Sequence, residues 1–128
     1  MPSKSDVPCV LFVDDEPMIR NAGQRILSRV GCRVYLAANG REALDTYRQQ
    51  KDEIDVIILD LGMPVMDGLS CLSALVKFDP DARVILSSGV HAAESHTAID
   101  KGAIGILPKP YGVKELLAAF KMGVSTGA

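Results

Sequence analysis

The sequence predicts an α/β fold, a three-layer doubly wound parallel sheet built from five strand–helix pairs. Short apolar runs alternate five times with stretches whose apolar residues recur at helical spacing. The runs are continuous rather than alternating, as expected of strands covered on both faces. Each run also stops at a polar residue or a Gly/Pro turn. With right-handed crossovers, all five carboxyl ends share one edge, the edge where open parallel sheets bind their ligands.

Each element has its own signal. After a polar leader at 1–8, Cys9-Val10-Leu11-Phe12-Val13 predicts the first strand, which ends in Asp14-Asp15-Glu16. Pro17 suits the first turn of a helix, and Ile19, Ala22, Ile26, Leu27 and Val30 keep helical spacing until Gly31 supplies a stop. Val34-Tyr35-Leu36-Ala37 is the second strand. Asn39 follows as the N-cap of a helix with Ala43, Leu44 and Tyr47 on one face, which fades into the polar stretch 49–53. The third strand, Val56 to Leu59, delivers Asp60 to its mouth, and Gly62, Pro64 and Gly68 then forbid regular structure. Leu69, Leu72, Leu75 and Val76 mark a third helix, broken at Phe78-Asp79-Pro80-Asp81. Arg83 to Ser87 is the fourth strand, with Ser88-Gly89 at its end. The segment from Ala92 to Lys101 is short of large apolar residues and predicts an exposed, mobile helix. Ala103 to Leu107 is the fifth strand, closed by Pro108-Lys109-Pro110, and Val113, Leu116, Leu117 and Phe120 define the last helix. One domain over 9–122 is expected, with 123–128 a flexible tail or the start of a linker.

Bulk properties narrow the function classes. At 128 residues, with 48% hydrophobic and 23% charged residues, the chain can bury a sizeable core without disulfides. Its apolar runs are too short to span a bilayer and its first residues lack the apolar core of a signal peptide, so a cytoplasmic protein is expected. A net charge of -2 with both signs interspersed offers no basic stripe for nucleic acid. Cys9, Cys32 and Cys71 are widely spaced and read as buried reduced thiols. His91 and His96 lack metal-ligand spacing and read as exposed, while Met18, Met63 and Met66 read as packing residues.

The shared edge gathers Asp14, Asp15, Asp60, Ser88 and Lys109. Asp60 by itself could simply cap a turn; in this company it reads as part of a site. Carboxylates drawn together repel one another unless a cation compensates, and a hard divalent ion such as Mg2+ takes one or two carboxylates, waters and a phosphate. Asp15 and Asp60, with Asp14 through a water, would make such a partly open site. Lys109 and Ser88 suit phosphoryl oxygens on an acceptor carboxylate. The chemistry implied is phosphoryl transfer to a carboxylate, achieved mostly by positioning and charge neutralisation.

These residues resemble the receiver domain of two-component response regulators, over about 9–122. Asp14-Asp15 resembles the family's acidic pair, and Asp60-x-x-Met63-Pro64-x-x-Asp67-Gly68 its phosphoacceptor signature. Ser88-Gly89 resembles its hydroxyl-plus-small-residue step, and Lys109-Pro110 its lysine and usually cis proline. Four motifs in order at the ends of the first, third, fourth and fifth strands are a very specific signal. The resemblance implies a flavodoxin-like fold with strand order 2-1-3-4-5. It also implies that Asp60 accepts a phosphoryl group, with Mg2+ held by Asp14, Asp15, Asp60 and the Gly62 carbonyl, and Ser88 and Lys109 holding the phosphoryl oxygens. Such a domain is a signalling receiver that catalyses its own phosphorylation and dephosphorylation. The implied donor is a sensor histidine kinase or histidine phosphotransfer protein. The implied target is an effector protein or attached output domain, read through the fourth helix, fifth strand and fifth helix, with a phosphorylation-dependent dimer through the last helix left open. The segment 84–89 with 109–111 looks most like receivers attached to hybrid histidine kinases.

One position departs from the family. Many receivers carry Tyr or Phe where this chain has Ile106, so the switch is expected to run through the backbone of Gly89–His91 and the fourth helix. Three other readings compete. A phosphatase-like enzyme with an aspartyl nucleophile would want a second Asp two residues on, where Gly62 stands. A flavin or nucleotide module would not place Asp14-Asp15-Glu16 where phosphate-cradling amides belong. A scaffold receiver that binds metal without phosphorylation is disfavoured because every acidic, hydroxyl and lysine position is filled.

Overall fold

The structure is a computed structural model that describes residues 7–63, 65–89 and 92–125. Five strands alternate with five helices. They are β1 (Cys9–Val13), α1 (Pro17–Arg29), β2 (Arg33–Ala37), α2 (Gly40–Gln50), β3 (Val56–Asp60), α3 (Gly68–Phe78), β4 (Val84–Ser88), α4 (Ala92–Asp100), β5 (Gly105–Pro108) and α5 (Val113–Ser125). The sheet is parallel throughout, in the order β2-β1-β3-β4-β5. It is the flavodoxin-like doubly wound fold.

Alternation along the strands builds two cores. Cys9, Leu11 and Val13 of β1 face one side with Ile57 and Leu59 of β3, and meet Ala43, Leu44 and Tyr47 of α2 and Cys71, Leu72 and Leu75 of α3. Val10 and Phe12 face the other side with Val56 and Ile58, against Leu27 of α1 and Leu116 and Phe120 of α5. Burying each such large side chain stabilises the fold by roughly 1.5–3 kcal/mol. Helices therefore cover both faces, which is why the strands read as unbroken apolar runs. All three cysteines are buried free thiols; burial pushes the Cys71 thiol up to about 12, with a smaller push from the Asp67 charge.

Local signals account for most boundaries. Asn39 accepts the Glu42 N–H, and the Glu42 carboxylate reaches back to the Ala38 N–H, fixing the start of α2. Asp67 caps α3 through the Ser70 N–H. Gly31 ends α1 with a φ of 90°, and Gly102 follows α4 with a φ of 113°.

Several expectations need correction. The tail does not start at 123: Gly123, Val124 and Ser125 belong to α5. Gly123 sustains the helix because it lacks a side chain, since a Cβ there would stand 2.5 Å from a Val56 methyl. Met18 is not a packing residue; it is 84% exposed, one position outside the inward stripe of α1, while Met63 is buried. β5 starts at Gly105, two residues later than expected, because the Ala103 N–H still bonds back to Ala98 of α4 and Ile104 leads into the sheet through its N–H on the Val84 carbonyl. The fourth helix is present and seats Ala98 fully in the core; His96 is exposed, and His91 lies outside the described residues, as do the leader at 1–6 and residues 126–128.

Candidate functional site

The carboxyl edge is assembled by backbone register. Asp60 pairs with Ser87 across β3 and β4, and Ser88 with Pro108 across β4 and β5. The ladders run on past the strand ends. The Leu61 N–H donates to the Ser87 carbonyl at 2.9 Å, and the Lys109 N–H donates to the Ser88 carbonyl at 2.7 Å. These bonds hold the Asp60 loop, the Ser88 turn and Lys109 side by side. The Lys109–Pro110 peptide is cis.

Three carboxylates converge there. Ligand oxygens of Asp14, Asp15 and Asp60 lie within 4.8 Å of one another. Asp14 and Asp60 are 1% and 5% exposed, whereas Asp15 is half-buried toward solvent. The Lys109 ammonium stands 3.1 Å from Asp14 Oδ2 and 3.1 Å from Asp60 Oδ1. The Glu16 N–H donates to the other Asp14 oxygen at 2.9 Å, and Arg20 Nη1 donates to the Asp14 backbone carbonyl at 2.8 Å.

The electrostatics follow from this packing. Burial raises the Asp60 pKa above the usual carboxylate range, and the Asp14 charge adds to the rise; the Lys109 hydrogen bond and a hydrogen bond from the Gly62 backbone N–H oppose it. Burial works against the Lys109 ammonium, but hydrogen bonds and charge from Asp60, then Asp14, outweigh it and raise the Lys109 pKa. Three carboxylates against one ammonium leave two negative charges to balance. All three donors are hard oxygens, and Asp15 faces outward, so the set fits a small divalent ion that keeps part of its water shell. Among the described residues the buried Ser88 hydroxyl has no hydrogen-bond partner, and neither has that of Ser87. A donor left unpaired beside an acidic site is ready for an acceptor oxygen.

Residues 10–121 match the family described as the response regulator receiver domain. The chain belongs to that family. This receiver domain is 37% identical over 113 residues to the sensor kinase CckA of Brucella abortus, covering 88% of this chain and 12% of CckA. It is 37% identical over 113 residues to the response regulator MprA of Mycolicibacterium vanbaalenii, covering 88% of this chain and 48% of MprA. The chain thus spans about half or less of the length of these relatives. Among solved structures, a CheX-CheY-BeF3-Mg2+ complex from Borrelia burgdorferi superposes with a TM-score of 0.86 at 34% identity, covering 91% of this chain and 88% of that one. A receiver domain protein from Clostridium thermocellum also reaches 0.86, at 28% identity, over 92% and 94% of the two chains.

The structure thus brings Asp14, Asp15, Asp60 and Lys109 into one cluster, with Ser88 beside Lys109 in the strand register. Gly62 is exposed, and it meets the Asp60 carboxylate through its N–H. Ile106 is half-buried against the core shared with α2 and α3. Sequence reasoning missed Arg20, because a guanidinium that binds a main-chain carbonyl leaves no motif. It also missed Tyr111, which lines a groove of about 840 Å3 between α1 and α5, together with Met18, Ile19, Gly89, Lys109 and Val113. The Tyr111 phenol is pushed up to about 12, first by burial and then by the Asp14 charge. No helix among the described residues is long and apolar enough to cross a membrane.

Proposed function

We propose that this receiver accepts a phosphoryl group on Asp60 from a phosphohistidine and passes the signal on by protein contact. The observation that carries the reading is the placement of Lys109, at hydrogen-bond distance from both Asp60 and Asp14 and bonded through its N–H to Ser88, whose buried hydroxyl has no partner among the described residues. An Asp60 oxygen supplies the electron pair, the nitrogen–phosphorus bond of the donor breaks with its pair going to the ring nitrogen, and the ring, protonated on its other nitrogen, leaves as neutral imidazole. Lys109 and the Ser88 hydroxyl then pair with phosphoryl oxygens. Asp14, Asp15 and Asp60, with the Gly62 carbonyl, would hold Mg2+, which neutralises charge on the transferring group. A structural relative solved with BeF3 and Mg2+ supports this assignment.

The surfaces fit a relay. The groove between α1 and α5 opens beside the acceptor through Lys109 and Gly89, with Met18 and Val113 exposed at its rim, so a donor protein would cover apolar surface there. Ile99 of α4 and Ile104 before β5 are exposed on a different face, which suits readout by an effector or output domain. A phosphatase-like enzyme is disfavoured by Gly62, which puts no general acid two residues after Asp60.

Intact mass after incubation with Mg2+ and acetyl phosphate tests the reading. One hydroxylamine-labile phosphoryl adduct is expected on the wild type, absent from Asp60→Asn and from an EDTA control. No adduct, even with a cognate phosphohistidine donor and rapid quenching, would leave a metal-binding scaffold and overturn the proposal.

A further inference from the structure

Asp14 and Asp15 sit side by side but are held very differently. Asp14 is fixed at every polar group: its N–H donates to the Ala37 carbonyl at 3.2 Å, and its carboxylate meets the Glu16 N–H and Lys109. Its carbonyl accepts from Arg20 Nη1 at 2.8 Å. Asp15 offers a ligand oxygen to the same cluster, yet its carboxylate has no hydrogen-bond partner among the described residues. Its backbone is therefore held by its two flanking peptides, the Asp15–Glu16 plane through the Glu16 N–H on Asp14 Oδ1 and the Asp14–Asp15 plane through its own oxygen. That oxygen is tied to Arg20, which reaches back from the first turn and a half of α1.

We infer that Arg20 is a positioning residue for the metal site, holding the Asp14–Asp15 peptide so that Asp15 is preorganised as a ligand. The inference rests on the metal reading above. Two effects of Arg20 pull in opposite directions. Its positive charge near the carboxylates repels a divalent cation, while its hydrogen bond spares the cation the cost of ordering the loop. The guanidinium binds a main-chain carbonyl and pairs with none of the three carboxylates, so its contact acts on geometry. Its charge stands in half-exposed surroundings, where solvent screens it. Geometry therefore wins, and losing Arg20 weakens metal binding.

The test is a calorimetric Mg2+ titration of the wild type, Arg20→Gln and Arg20→Lys, with thermal unfolding and acetyl phosphate kinetics on the same samples. Supporting groups behind metal ligands commonly account for a tenfold or greater change in affinity. Arg20→Gln should therefore raise the Mg2+ dissociation constant roughly tenfold, and saturating Mg2+ should restore most of the phosphorylation rate. Arg20→Lys, which keeps the charge and a donor, should fall between the two; if Arg20→Gln fails to fold, the lysine variant carries the comparison with the same expected direction. An unchanged dissociation constant with a lowered melting temperature would make Arg20 a structural staple and overturn the inference. Tighter Mg2+ binding in Arg20→Gln would show that charge dominates and would overturn it too. A wild type that binds no Mg2+ would instead overturn the metal reading, and this inference with it.

Discussion

Lys109 Nζ lies 3.1 Å from Asp60 Oδ1, although Asp60 ends β3 and Lys109 follows β5, with β4 between them. The ion pair spans the mouth of β4, and on the proposed function it holds the ammonium where negative charge would grow during transfer. Replacing Lys109 by Met removes that charge and leaves Asp14 and Asp60 facing each other uncompensated. Removing one preorganised electrostatic group commonly costs about 10²–10³ in rate. Lys109→Met should slow phosphorylation by acetyl phosphate by roughly that factor, and carbonyl-carbon NMR should show Asp60 titrating still higher than in the wild type.

Asp60 also links stability to pH. Its pKa is raised in the fold by burial and by Asp14, so the folded state holds the proton more tightly than the unfolded chain does. The stability due to protonation is full below the ordinary aspartate value and is lost as pH rises through the raised one. At neutral pH, ionised Asp60 therefore destabilises the domain, and Asp60→Asn should unfold at a higher temperature than the wild type. The difference should shrink as pH falls into the acid range. A gap that widens toward low pH would contradict the assignment.

The contrast between Asp60 and Arg20 shows what the sequence makes legible. Asp14, Asp15, Asp60, Ser88 and Lys109 each follow an apolar run, so the periodicity that places a strand also places the residue at its mouth. The parallel sheet then brings them together without further information. Arg20 acts on a carbonyl, a group that every residue has, and no spacing marks it. Met18 lies outside the stripe that the spacing marks in α1, and an apolar residue type does not by itself bury a side chain. Gly123 looks like a helix stop by composition, but close packing on Val56 keeps it helical. Long-range packing of that kind is invisible to local propensity.

A second buried pair lies far from Asp60. The Tyr47 hydroxyl donates to Asp79 Oδ2 at 2.6 Å, joining α2 to the turn after α3, while the Asp81 N–H takes the other carboxylate oxygen. Burial, followed by the Asp79 contact, pushes the Tyr47 phenol far above its ordinary value. Tyr47→Phe keeps the ring and its edge contact with Phe78 but leaves a buried carboxylate oxygen unpaired. That loss costs about 1–3 kcal/mol in urea denaturation. The phosphorylation rate should not change, because the pair belongs to the scaffold.

The loop after Asp60 carries a conformational cost that mutation can relieve. Val65 has a φ of 70°, a left-handed conformation in which a β-branched side chain crowds its own backbone, and the side chain is 81% exposed. Nothing in the core repays that cost, which is about 1–2 kcal/mol for a residue with a Cβ. Asn tolerates the same backbone because its side chain bonds locally, so Val65→Asn should stabilise the domain by about 1 kcal/mol. Gly would remove the strain but gain less, since it has more freedom to lose on folding. Urea denaturation of both variants, compared at a common slope, checks the order Asn, then Gly, then Val. If Val65 proves the most stable of the three, the left-handed conformation carries no strain and the cost assigned to this loop is wrong.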